Sequence, residues 1–216
     1  MEQRVLDKLQ TQLESDSKII TIENTYLVKI SEKIRDAMSE FVNCRVLSLN
    51  FCRLSSLTNM PNLPNLEILQ LNDNLLKDSD LEIISQFKKL KYLYIGGNKI
   101  KELASFSALK DNASLKFVDV FSNPFTESED YAARLFELLP QLKIIDYRDR
   151  NKKEFEDVYS DDTEEEDEGD EDDDESGEEE GFISEHDDEE NAEGNAVDRD
   201  DEILGKVLHD DLDVSE

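Results

Sequence analysis

Imidazole is nearly absent from this 216-residue chain: its only histidines are His186 and His209. Residues 1–155 therefore hold no imidazole base and no histidine metal ligand, so no Ser-His-Asp arrangement can be built there. Cysteine is scarce too. Cys44 and Cys52 have no second pair and no metal-type spacing, which excludes a disulfide framework and reads as two reduced, buried thiols rather than a redox switch. Glycine occurs seven times without a phosphate-cradling loop, and "GGNK" at 96–99 reads as small residues at a turn. No run of about 18 apolar residues occurs, and the opening "MEQRVLDKLQ" lacks the apolar core of a signal peptide. We expect no membrane span, no cofactor, no metal centre and no enzyme, in a nuclear or cytoplasmic setting.

Positive charge is missing from one end only. Residues 1–155 carry 22 Lys and Arg against 23 Asp and Glu, a net of −1, whereas 156–216 carry 2 against 32, a net of −30. Sixteen of the twenty residues 161–180, "DDTEEEDEGDEDDDESGEEE", are acidic, including Asp161, Asp162, Glu164, Glu165, Glu166, Asp170, Asp172, Asp173 and Asp174. With so few apolar groups this segment cannot offset its ordering entropy, and the expectation for 156–202 is a disordered acidic tail. Fully extended at ~3.4 Å per residue, it carries one charge per ~4 Å, against ~1.7 Å for duplex DNA. It would repel nucleic acids and anionic membranes and attract basic proteins, histones being the abundant class. Thr163, Ser176 and Ser184 each have an acid three residues on and are candidate phosphorylation sites. Asp172, Asp174, Ser176 and Gly177 mimic part of a calcium loop, but position twelve is Ile183, leaving only weak, non-selective cation binding. Residues 203–216 form a short amphipathic segment whose Leu204, Leu208, Leu212 and Val214 have the spacing of an export signal or a partner-bound helix.

What the first 155 residues do contain is a repeat. "CRVLSLNFCRL" (44–54), "LEILQLNDNLL" (66–76), "LKYLYIGGNKI" (90–100) and "LKFVDVFSNPF" (115–125) share the pattern L-x-x-L-x-L-x-x-[NC]-x-L, with starts 22, 24 and 25 residues apart. A worn copy holds Ile20, Ile22, Thr25 and Leu27, and a partial one 27 residues beyond Leu115 holds Leu142, Ile145 and Tyr147. Each Leu-x-Leu is a short strand, and the Asn or Cys turns the chain away from it. One unit cannot bury its own apolar face, so the units must stack. The expected fold is α/β: a leucine-rich-repeat solenoid of about five repeats over 1–155. A parallel sheet lines its concave side, a helical cap carries Val5, Leu6, Leu9 and Leu13, and a repeat cap closes the far end. Capping boxes are expected at Ser79-x-x-Glu82, ahead of Leu81, Ile84 and Phe87, and at Thr126-x-x-Glu129, ahead of Ala132, Leu135, Phe136 and Leu139.

Alternate strand positions point away from the core, toward the concave side. There Tyr92, Tyr94, Phe117, Asp119 and Phe121 form a candidate partner-binding patch; the alternative is that some of these rings shield the sheet or pack beneath the last cap.

"LEILQLNDNLL", "GGNKIKEL" and "YAARLFELLPQLKIID", followed by the acidic tail, resemble the acidic leucine-rich nuclear phosphoprotein 32 family. The resemblance covers about residues 1–155 in order and spacing, and the rest in composition. It implies a non-enzymatic binding protein active in chromatin regulation, by histone chaperoning or inhibition of histone acetylation. It also implies inhibition of protein phosphatase 2A and links to messenger-RNA export, with the concave patch and tail as contact regions. The chain departs from the family in lacking a C-terminal basic cluster and in reading "IDYRDR" at the cap, without the usual Gly-Tyr. A phosphatase regulator acting through the repeats is the alternative function; a spliceosomal or other RNA-processing adaptor is a third. The resemblance places the protein in the nucleus, with cytoplasmic shuttling.

Overall fold

Three residues per repeat are enough to make a strand when the next repeat supplies its partner, and that is how the chain folds. A computed structural model describes residues 2–14 and 18–155. The readings for 156–202 and 203–216, with their acidic, phosphoacceptor and export-signal residues, lie outside the described residues. Strands β1 (Ile19–Thr21), β2 (Val46–Ser48), β3 (Ile68–Gln70), β4 (Tyr92–Tyr94), β5 (Phe117–Asp119) and β6 (Ile144–Ile145) form one parallel sheet in sequence order. Register is kept throughout: Ile20 pairs with Leu47, Leu69 with Leu93, and Val118 with Ile145. These middle residues turn inward and are fully buried in one continuous apolar core, together with Leu49, Leu71, Ile95 and Val120.

The turns after β2 to β5 are each held by a buried side chain that bonds two repeats at once. Asn98 donates from Nδ2 to the carbonyls of Leu71 (2.9 Å), Ile95 (3.0 Å) and Gly96 (3.0 Å), while its Oδ1 accepts from Leu76 N (3.0 Å). Asn74 does the same between Leu49 O, Leu71 O, Cys52 N and Leu54 N, and Asn123 between Ile95 O, Val120 O and Ile100 N. In the earlier copies the ladder thins. Cys52 donates its thiol to Ile22 O at 2.7 Å, and Thr25 its hydroxyl to Glu23 O at 2.9 Å. The residue before each of these is left-handed: Asn24, Phe51, Asp73, Gly97 and Ser122. At Gly97 (φ 64°) a Cβ would also sit 2.5 Å from Asp73 Oδ1, so a larger residue there would have to displace the Asp73 carboxylate as well as adopt the left-handed backbone.

The ends of the core are closed by helices. Helix α1 (Glu2–Glu14) buries Val5 and Leu9 and packs Leu6 and Leu13 against the core. Its Gln12 amide bonds both backbone groups of Thr21, at 2.9 and 3.0 Å, which ties up the edge of β1. Helix α2 (Glu32–Ser39) was not foreseen. Ser31 caps it by accepting from Ile34 N, and Ile34 and Met38 bury its inner face. Its signals, a Ser N-cap and an i, i+4 apolar pair, lie in the copy whose repeat pattern is worn.

Both expected capping boxes are corrected. Helix α3 (Asp80–Ile84) buries Leu81 and Ile84, with Phe87 just beyond it, but Ser79 has αR geometry and makes no capping bond. The aspartates beside it act instead. Asp80 accepts from Leu57 N and Lys77 N, and Asp78 from Lys101 N and Glu102 N, in neighbouring turns. Thr126 lies within a 3₁₀ turn (Pro124–Glu127) and donates to Asn123 O, and helix α4 starts later, at Tyr131–Leu138. Leu135, Phe136 and Leu139 are buried as expected. Because α1 with α2 and α4 with β6 cover the two ends, residues 2–155 hold a core that is closed within itself.

Removing one buried carboxamide strands its backbone partners at ~1–3 kcal/mol per unsatisfied group. Asn98→Ala should therefore cost about 3 kcal/mol or more, read as a lower urea midpoint. Asn62→Ala, at an exposed residue, should leave the midpoint within about 0.5 kcal/mol of wild type.

Candidate functional site

The concave positions of β2–β5 form three rows across the sheet. Val46, Ile68, Tyr92 and Phe117 make the first, Ser48, Gln70, Tyr94 and Asp119 the second, and Asn50, Asn72, Gly96 and Phe121 the third. None of the residues in these rows belongs to the central core cluster, in keeping with strand alternation.

The five candidate residues do lie together, but not in equivalent settings. Tyr92 is 5 % exposed, Tyr94 3 % and Phe117 1 %, whereas Asp119 is half-buried and Phe121 is 67 % exposed. Phe117 is the hub of the rings. Its centroid is 5.0 Å from Tyr94, 6.3 Å from Tyr92 and 5.2 Å, edge-on, from Tyr147 of the C-terminal cap. The rings thus brace β4, β5 and the cap against one another, and Phe121 presents the open apolar surface of the group.

A polar relay that sequence reasoning did not identify crosses the same face. Glu23 accepts from Ser48 Oγ and, at 3.1 Å, from Asn50 Nδ2. Asn50 Oδ1 accepts from Asn72 N (2.8 Å), and Asn72 Oδ1 accepts from Gly96 N (2.8 Å). Asn72 Nδ2 reaches Asp119 Oδ2 at 3.5 Å, and Asp119 Oδ1 accepts from Phe121 N at 3.2 Å. Gly96 lies tightly in this relay: a Cβ there would stand 3.1–3.3 Å from Phe121 O, Asn72 Oδ1 and Asp119 Oδ1. The available signal was the pair of asparagines at position seven of consecutive repeats.

The relay ends at a second carboxyl, Asp146. Its Oδ1 accepts from Val120 N (2.7 Å) and Phe121 N (3.1 Å), and its Oδ2 from the Tyr131 hydroxyl (2.6 Å). Asp146 thereby fixes the Phe121 backbone and ties α4 to the sheet. Burial, and then the adjacent charge of Asp146, push the Asp119 carboxyl up to about 6. Burial and the bond to Asp146 likewise push the Tyr131 hydroxyl up.

The remaining candidates are structural. Cys44 and Cys52 are free and buried; burial pushes the Cys44 thiol up to about 12 and raises Cys52 as well, so neither is a thiolate at neutral pH. Gly96 and Gly97 serve the strand-to-turn passage, as read from "GGNK". Among the described residues no group of three or more His, Cys, Asp or Glu side chains is placed to hold a metal ion. No described helix is long and apolar enough to cross a membrane.

A family model described as "Leucine-rich repeat" matches residues 23–168. The chain is similar to the acidic leucine-rich nuclear phosphoprotein 32-related protein of Plasmodium falciparum (isolate 3D7), with 32% identity over 145 residues. That match covers 66% of this chain and 51% of the relative, so the chain spans about half the length of the curated protein it matches. Among solved structures, the Drosophila melanogaster SNF/U2A′ complex shares the fold, with a TM-score of 0.52, 21% identity, and coverage of 61% of this chain and 74% of that one.

Asp119 supplies a pH signature. Its folded-state value lies above the ordinary 3.8, so the folded protein holds this proton more tightly, and stability falls as pH rises from about 4 through about 6. Asp119→Asn should remove that loss. We expect the variant to be about 1–3 kcal/mol more stable than wild type at pH 7, with the advantage fading toward pH 4. Urea unfolding of both proteins across that range checks it, and an advantage independent of pH would count against the assignment.

Proposed function

The chain belongs to the leucine-rich-repeat family, and from that premise we propose that it is a non-enzymatic, histone-binding protein acting as a chaperone in chromatin. The observation that carries this reading is the segregation of charge: a nearly neutral repeat domain, net −1, joined to a segment of net −30. A carboxylate run of this density competes with DNA for basic proteins, screening a histone's charge against premature contact with the duplex. Attraction reaches only about 8 Å at physiological salt, so the contacts are close and numerous. The repeat domain gives the polyanion an address. Phe121, with Asp119 beside it on the concave face, is the contact it offers a partner.

Similarity to a relative whose name includes "nuclear phosphoprotein" supports a nuclear location, and Thr163, Ser176 and Ser184 are the sites at which phosphate would deepen the existing charge.

Core histones captured by the full chain should elute as salt is raised, and residues 1–155 alone should lose most of the binding. Equal capture by the truncated protein would remove the acidic segment from the mechanism. Phe121→Ala should weaken capture by the full chain about five- to thirtyfold without changing its salt dependence, the range expected of one well-placed aromatic contact.

A further inference from the structure

Among the large apolar side chains left exposed, Tyr26 (55 %), Phe51 (53 %) and Leu75 (41 %) all belong to the turns that follow β1, β2 and β3. The backbone ladder continues past the strands and aligns these turns. Leu27 N bonds Cys52 O (2.9 Å), Leu75 N bonds Leu54 O (2.7 Å) and Lys99 N bonds Leu76 O (2.9 Å). Tyr26, Arg53, Leu75 and Lys99 therefore stand one repeat apart in a row about 14 Å long, at ~4.8 Å per step, with Phe51 two residues before Arg53. The Arg53 guanidinium lies 5.5 Å from the Tyr26 ring centroid. Lys77 and Lys99 are exposed and make no ion pair among the described residues. Of the carboxylates nearby, Glu23 accepts from Ser48 and Asn50, and Asp73 lies against Gly97. Phe51 and Arg53 are both left-handed, at φ 55° and 56°. In the other turns the place of Phe51 is taken by Asn24, Asp73, Gly97 and Ser122, smaller residues that suit this backbone better. Phe51 is not part of the core cluster, so core packing does not explain a strained aromatic there.

We propose that this corner of the domain docks an amphipathic helix of a partner protein, aliphatic on one face and carrying carboxylates along its margin. An exposed apolar group of this kind, framed by charged residues, is the mark of a protein contact. Charge complementarity selects the acidic margin, because Arg53, Lys77 and Lys99 frame the apolar group and two of them have no anion of their own. A helix suits the row because its turns recur every ~5.4 Å, close to the ~4.8 Å between repeats, whereas an extended chain shows the same face every ~6.8 Å. A nucleic acid suits it less. Leu75 puts an aliphatic side chain within the row, and Arg53 lies over the Tyr26 ring, so successive open rings for stacking are lacking. This inference does not depend on histone binding. It uses other residues than Asp119 and Phe121, and its partner has the opposite charge to a histone.

The probe is a displayed library of helical peptides about 15 residues long, all of net negative charge so that the acidic segment of the chain does not capture them, with one helix face randomised. It is selected on the full-length chain, and the most enriched peptide is labelled with fluorescein and titrated by anisotropy. Enriched peptides should carry aliphatic residues three and four apart. The double variant Phe51→Asn, Leu75→Gln should bind at least tenfold more weakly. Asn24 already occupies the same left-handed position, and an unchanged urea midpoint shows that the fold is intact. Arg53→Asn with Lys99→Gln should weaken binding and flatten its salt dependence. Phe121→Ala should leave it unchanged, which separates this surface from the histone contact. Failure to enrich any peptide, or equal binding by the double variant, would overturn the proposal. So would a single-stranded RNA that binds the same residues more tightly. Two further arms exclude other occupants. Changing Leu204, Leu208 and Leu212 to Ala keeps the charge of the chain and should not alter the affinity; tighter binding would make the occupant this chain itself. A dimer in sedimentation that Phe51→Asn dissolves would make it a second copy.

Discussion

Everything in this domain depends on how a buried turn satisfies its backbone. Each repeat leaves its strand after about three residues and bends beneath the core, where water cannot serve the exposed N–H and C=O groups. Asn74, Asn98 and Asn123 solve this because a carboxamide both donates and accepts. One end closes the turn of its own repeat, and the other reaches the repeat before it. The bonds that make a repeat therefore also stack it, which is why no single unit is stable alone. Where the ladder uses a thiol or a hydroxyl, at Cys52 and Thr25, fewer groups are held, and α1 and α2 cover that end.

On the concave side the same stacking produces aligned rows of side chains. Positions three and five become a ring-braced face, and positions five and seven a polar relay that ends in two carboxyls. Asp119 keeps an unfavourable place beside Asp146. Asp146 cannot easily be given up, because it anchors Val120, Phe121 and Tyr131 together.

Most of the fold was legible because leucine spacing carries it. Leu47, Leu69, Leu93 and Val118 could be aligned by eye, and their pairing follows. The local starts of convex helices were less legible. Ser79 and Thr126 satisfy a capping pattern, yet Asp78 and Asp80 bond neighbouring repeats and α4 waits until Tyr131. A capping box is a local competition, and here bonds between repeats win it. The candidate patch was legible as a group of residues, but not in its division into braced rings and one exposed phenylalanine.

By itself the sequence determined the period, the inward residues, the carboxamide ladder and the confinement of negative charge to one end. These are properties of spacing and composition, and they hold whatever the details of packing. Only the tertiary structure decided that Asp119 and Asp146 share one environment, and that Phe117 is closed over while Phe121 stays open. The reason is physical. Burial and Coulomb interaction depend on distance in space, and in a solenoid residues more than twenty positions apart become neighbours only once the repeats have stacked.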